Sequence, residues 1–120
     1  MPEATRQLAA IMFTDIAGYT KLMGEDEQRA IRLLDENLSI QKPLIEQHQG
    51  DLMKEMGDGL LSSFSSAIEA VKCAMEIQDK LKDDPDLNIR VGIHIGDVLF
   101  RDGDVLGDGV NIASRIESLA

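Results

Sequence analysis

The sequence predicts an α+β domain, a mostly antiparallel sheet with helices packed on it. Three observations predict it. Leu8–Phe13 is a short, nearly continuous apolar run. Two later pairs of short strand patterns are each joined through Gly- and Asp-rich residues. Between the strands, two stretches carry apolar residues at the 3.6-residue period of a helix.

Taken in order, Leu8–Phe13 fits a strand buried on both faces, and Gly18 ends its extended pattern. From Asp26 to His48 the pattern is helical, with Ile31, Leu34, Leu38 and Ile45 on one face. Pro43 predicts a kink or a new helical start, and Gly50 the end of the helix. Asp51–Met56 and Leu60–Phe64 read as a β-hairpin around Gly57-Asp58-Gly59. Ser65 or Ser66 can cap the next helix, with Glu69 placed for a capping box on Ser66. That helix runs to about Lys82 and is expected to bury Ile68, Val71, Ala74, Met75, Gln78 and Leu81. Asp83–Asp86 is a loop. Leu87, Ile89, Val91, Ile93 and Ile95 then alternate on one strand face; Gly96-Asp97 breaks the strand and Val98–Phe100 resumes it. Arg101–Asp104 is a second polar turn, and Val110, Ala113, Ile116 and Leu119 mark a final helix. This order embeds β-α-β-β-α-β, the ferredoxin-like arrangement. The pattern stops inside or just after a helix, with no closing strand. The expectation is one partial domain over residues 1–120 whose last strands are missing.

Bulk properties narrow the function classes. The apolar fraction is 43% with only 3% aromatic residues and no Trp, so the core must be aliphatic. The formal charge is −10, from 22 acidic against 12 basic residues. Such a balance opposes nucleic-acid binding, which depends on Lys and Arg neutralising phosphates. It leaves room for a small phosphorylated ligand whose charge metal ions offset locally. The one cysteine, Cys73, lies in a helical pattern and reads as a buried, inert thiol. No run is long enough for a transmembrane helix and the N-terminus carries no secretory h-region, so a cytoplasmic location is expected.

Two aspartates carry the chemistry. Asp15 closes an apolar strand pattern in Phe13-Thr14-Asp15-Ile16, and Asp58 sits in the turn Met56-Gly57-Asp58-Gly59. Carboxylates on a strand end and a hairpin turn suit a hard divalent cation, which takes oxygen ligands and shares phosphate oxygens of a substrate. Two such cations can activate an attacking oxygen and stabilise a leaving one. Each residue also has a plain reading: Asp15 as a helix cap near Gly18, Asp58 as a turn former, Lys54 as a solvated strand residue, Arg115 as a surface helix charge. His94, between Ile93 and Ile95, faces away from their side of the strand and reads as structural or surface.

Three segments in register outweigh the plain readings: Phe13-Thr14-Asp15-Ile16, Lys54-Glu55-Met56-Gly57-Asp58-Gly59, and Asp104 to Arg115 (Asp-Val-Leu-Gly-Asp-Gly-Val-Asn-Ile-Ala-Ser-Arg). In these the chain resembles the catalytic domain of class III adenylate/guanylate cyclases, closest to bacterial ones, over almost its whole length. The resemblance implies that Asp15 and Asp58, with the carbonyl of Ile16, hold two divalent metal ions, Mg²⁺ or Mn²⁺. It implies that Lys54 and Asp104 read the purine. A Lys can donate to adenine N1 and a carboxylate can accept from the 6-amino group. Guanine presents the opposite pattern, and guanylate cyclases typically carry Glu and a small residue there. Asn111 and Arg115, one helical turn apart on the same face, would orient the ribose and stabilise charge on the α-phosphate. The implied substrate is ATP and the implied assembly a head-to-tail homodimer with active sites at its interface. The regulatory domain is unspecified. The family's phosphate-binding Lys on a later strand falls beyond Ala120, so activity of these 120 residues alone is not expected from the motifs.

Two other classes compete. A degenerate, non-catalytic cyclase-like module would bind nucleotide and dimerise. A cyclic-dinucleotide synthase would carry a Gly-Gly-Asp/Glu-Glu-Phe-type turn, which Gly57-Asp58-Gly59-Leu60 does not match.

Overall fold

A computed structural model describes the backbone of residues 5–101 and 104–106 and the side chains of residues 8–97. Its elements are β1 (Thr5–Ile16), α1 (Tyr19–Glu25), α2 (Glu27–Gln47), β2 (Gly50–Met56), β3 (Gly59–Phe64), α3 (Ala67–Leu81), β4 (Ile89–Arg101) and β5 (Asp104–Leu106). The five strands form one sheet in the order β2-β3-β1-β4-β5, every neighbouring pair antiparallel. The first four strands and the helices between them give the ferredoxin-like order read from the sequence.

β1 is the central strand. It is longer than the apolar run, because twelve residues, Thr5–Ile16, pair with β4. Successive side chains alternate between faces. Ala10, Met12 and Ile16 join the main core with Phe64, Ile89 and the helical residues Leu33, Leu44, Cys73 and Ile77. Ala9, Ile11 and Phe13 form a second cluster with Leu61 and Met53, to which no helix contributes among the described residues. β4 also exceeds expectation and runs through Gly96-Asp97 without a break, held by its pairing with β1.

The helices depart further from the sequence reading. α1 is additional; it starts after Gly18, whose φ of 77° lies in the left-handed region that glycine adopts without a Cβ penalty. α2 continues through Pro43 rather than restarting there. Its buried residues are Ala30, Leu33, Asn37, Gln41, Leu44 and Ile45, so of the four expected residues Ile45 alone is fully buried and Ile31 is exposed. Two polar residues share that stripe and bond to one another, while Asn37 Nδ2 is buried without a hydrogen-bond partner among the described residues. Gln41 Nε2 donates to Asn37 Oδ1 (2.7 Å), and Thr14 Oγ1 donates to Gln41 Oε1 (3.1 Å). Buried polar groups persist where they are hydrogen-bonded. α3 likewise buries Ala70, Cys73, Ile77 and Leu81, leaving Ile68, Val71 and Met75 exposed. Small Ala and Cys side chains let the helix approach the sheet closely, which a count of large apolar residues does not register.

α3 begins as read, with Glu69 N–H donating to Ser66 Oγ (3.3 Å). The carboxylate of Glu69 turns to His48 instead of completing a capping box. His48, the C-cap of α2, meets Glu69 Oε2 through Nδ1 (2.8 Å) and Glu76 Oε2 through Nε2 (2.7 Å). Both carboxylates raise its pKa above the ordinary 6.5 by hydrogen bonding, Glu76 more than Glu69. Protonated, the ring clamps the end of α2 to α3. Gly50 opens β2 rather than ending the helix, and a Cβ there would run into the Phe64 ring. Cys73 is buried, and burial pushes its thiol pKa up to about 11, consistent with an inert core residue.

Candidate active site at the end of the central strand

Asp15 is the penultimate residue of β1 and belongs to the face of Ile11 and Phe13. Thr14 before it points the other way, into α2, where its hydroxyl meets Gln41. One strand end is thereby tied to the core through one residue and presents a carboxylate through the next. Asp15 caps no helix: the N-cap of α1 is Gly18, with no side-chain cap bond.

Asp58 reaches the same point from a different element. β2 and β3 close on a two-residue turn, Gly57-Asp58, between the paired residues Met56 and Gly59. Gly57 takes φ 63°, the left-handed conformation such a tight turn requires of its first residue. Asp58 Oδ2 accepts a hydrogen bond from the backbone N–H of Ile16 (3.0 Å), across 42 positions of sequence. The two aspartates selected from the sequence are therefore brought to adjacent residues of β1.

Lys54 comes to this face through an irregularity. The β2–β3 register shifts between Leu52 and Lys54, leaving Met53 as the extra residue of a bulge. Leu52 packs towards the helices, and simple alternation would send Lys54 the same way. With the bulge, Lys54 instead stands opposite Leu61, on the side of Ile11, Phe13 and Asp15. Asp104 opens β5, paired in register with Arg101; its side chain lies outside those described. Asn111 and Arg115 lie outside the described residues altogether.

The sequence reading missed Arg90. It stands opposite Asp15 in the β1–β4 register and holds it bidentately, Nε to Oδ1 at 2.8 Å and Nη2 to Oδ2 at 2.7 Å. The alternation of Ile89 and Val91 already places Arg90 on the opposite face from them. What the sequence lacks is the pairing register that sets it beside Asp15.

Two carboxylates and nearby backbone oxygens make an all-oxygen donor set, the kind a hard divalent cation prefers. No group of three or more His, Cys, Asp or Glu residues suited to a metal occurs among the described residues. Water or substrate phosphate would complete the coordination, as is usual for Mg²⁺. The residues present fit such an ion.

A sheet of this order, with Asp15 at the central strand end and Asp58 on the β2–β3 turn bonded to the backbone N–H of the next residue, Ile16, matches a nucleotide-cyclase type of domain. The comparisons agree. The model of the adenylate and guanylate cyclase catalytic domain matches residues 1–120, and the chain belongs to this class III cyclase family. It is 42% identical to "Putative adenylate cyclase 3" of Rhizobium meliloti, over 96% of this chain and 21% of that protein. It is 33% identical to an adenylate cyclase of Streptomyces coelicolor, over 92% of this chain and 30% of that one. The chain thus spans between a fifth and a third of these relatives. The crystal structure of an adenylate/guanylate cyclase/hydrolase from Silicibacter pomeroyi superposes with a TM-score of 0.87 at 37% identity, covering 98% of this chain and 73% of that one.

Proposed function

We propose that this domain is an adenylate cyclase, converting ATP to 3′,5′-cyclic AMP and pyrophosphate in cytoplasmic cyclic-nucleotide signalling. The observation that supports it most is the Asp58–Ile16 hydrogen bond, which draws the turn carboxylate to the strand end carrying Asp15. Overall, a bond forms between the ribose 3′-oxygen and the α-phosphorus, and the bond from that phosphorus to the pyrophosphate oxygen breaks. The hydroxyl proton passes to solvent. Asp15, Asp58 and the Ile16 carbonyl would hold two divalent cations, Mg²⁺ or Mn²⁺. When bound, these supply charge stabilisation for the attacking and leaving oxygens.

The chain's own residues bind and orient. Lys54 donates to adenine N1, and Asp104 accepts from the 6-amino group. This donor–acceptor pair fits adenine and leaves guanine with mismatched groups, a strong basis for discrimination. Asn111 positions the ribose, and Arg115 offers its planar fork to the charge growing on the α-phosphate. Most of the acceleration in such a site comes from positioning and fixed charge. A head-to-tail homodimer would bring the purine-reading and phosphate-facing groups of two protomers together.

The test is product formation from ATP and GTP with Mn²⁺ by the full-length protein. Cyclic AMP in large excess over cyclic GMP is expected. ATP binding without any cyclic product would replace this reading with a non-catalytic nucleotide-binding module.

A further inference from the structure

The Arg90–Asp15 pair uses both oxygens of a carboxylate assigned above to cation binding. The two residues face each other across β1 and β4, so the sheet register itself sets their approach. The pair is neither deeply buried nor fully solvated: the side chains are 36% exposed for Arg90 and 15% for Asp15. The two-pronged geometry makes the pair stronger than an ordinary surface ion pair, and its partial exposure leaves it open to exchange for a ligand of higher charge. A guanidinium in this position opposes a divalent cation twice. It occupies a lone pair on each carboxylate oxygen, and its positive charge repels the ion. Asp58, in contrast, is held by a neutral backbone N–H, which leaves its charge uncompensated by that contact.

We propose that Arg90 is a counter-ion latch on the cation site. It holds Asp15 in place while no cation is bound and releases the carboxylate when one binds. Asp15 then stays oriented in the empty site, and cation entry is coupled to freeing a guanidinium on the same face of the sheet. The proposal rests on the reading of Asp15 and Asp58 as cation ligands, and its test separates the two.

The experiment follows Mn²⁺ binding without nucleotide, from the loss of the free-ion electron paramagnetic resonance signal. Unsubstituted chain, Arg90→Gln, Arg90→Lys and Asp15→Asn would be compared. Arg90→Gln is expected to bind Mn²⁺ roughly three- to tenfold more tightly than the unsubstituted chain, the size expected for removing one partly exposed counter-ion. Arg90→Lys, which keeps the charge but loses the two-pronged geometry, should fall between them. Equal or weaker binding by Arg90→Gln, with binding lost in Asp15→Asn, would overturn the latch and leave the cation site standing. Unchanged binding in Asp15→Asn would remove the cation assignment and the latch with it. A measurement without substitution guards against misfolded variants. The Nε–H resonance of Arg90 should move with Mg²⁺ at the same midpoint as binding; a resonance fixed through saturation would overturn the proposal.

Discussion

On one face of the sheet, Met12, Phe64 and Ile89 lie beneath Leu33, Leu44, Cys73 and Ile77 of the helices. On the other, Ile11, Phe13, Leu61 and Met53 pack with strand residues alone among those described, and the same side carries Asp15, Arg90 and Lys54. The first face is closed by helices and supplies stability. The second grades from an apolar patch into charges at the strand ends. Adjacent residues divide the work: Thr14 anchors β1 to Gln41 of α2, and Asp15 is offered on the far side. A strand can do both because its side chains alternate. The site's precision is therefore supplied by the opposite face of the same strand.

Breaking the charged face should have the largest effect. Asp58→Asn keeps an acceptor for Ile16 N–H, so the turn should stay in place, but the charge is gone. Metal-dependent cyclase turnover is expected to fall by roughly a hundredfold or more, the scale of losing one preorganised charge contact. The melting temperature should move little; a large drop would show that Asp58 is structural first.

Breaking the helix-covered face should cost stability. Ile77→Ala removes a fully buried side chain and is expected to destabilise the fold by about 2–5 kcal/mol in denaturant titration. Ile68→Ala, on the exposed side of the same helix, should stay within about 0.5 kcal/mol. Equal costs would contradict the assignment of the buried side of α3.

Altering recognition should leave both faces intact and change selectivity. Lys54→Glu combined with Asp104→Cys is expected to shift the ratio of ATP to GTP turnover towards GTP by roughly tenfold, about 1.4 kcal/mol of relative barrier. An unchanged ratio would take these residues out of purine recognition.

The smallest effect concerns the clamp between α2 and α3. The folded pKa of His48 is raised, so its stabilisation is fully present below the unfolded value of 6.5 and is lost as pH rises through the folded pKa. His48→Gln should melt lower than the unsubstituted chain near pH 6, and the gap should close at alkaline pH. A gap independent of pH would show that the ring acts by packing and not by charge.

Much of this was legible in the sequence. A carboxylate ending an apolar strand and another in a Gly-flanked turn are local patterns, and the structure joins Asp58 to the residue after Asp15. Element order was legible because the period of apolar residues switches between strand and helix values. The buried helical faces were not. Large side chains such as Ile31, Ile68 and Met75 outweigh Ala30, Ala70 and Cys73 in any apolar count, yet the small residues face the sheet. Nothing local marks Gln41 and Asn37 as buried; the partner of Gln41, Thr14, comes from another element. The orientation of Lys54 depends on a bulge, and the Arg90–Asp15 pair on a strand register spanning 75 positions; neither is a local property.

The most direct test of the account is the rate of cyclic AMP formation from ATP as free Mn²⁺ is raised, in the full-length protein, with Asp15→Asn beside it. A rate that climbs to saturation with Mn²⁺, and is lost in Asp15→Asn, is the predicted result. Formation of cyclic AMP that is independent of the metal, or undiminished in Asp15→Asn, would contradict the assignment of the strand-end carboxylates as the cation site.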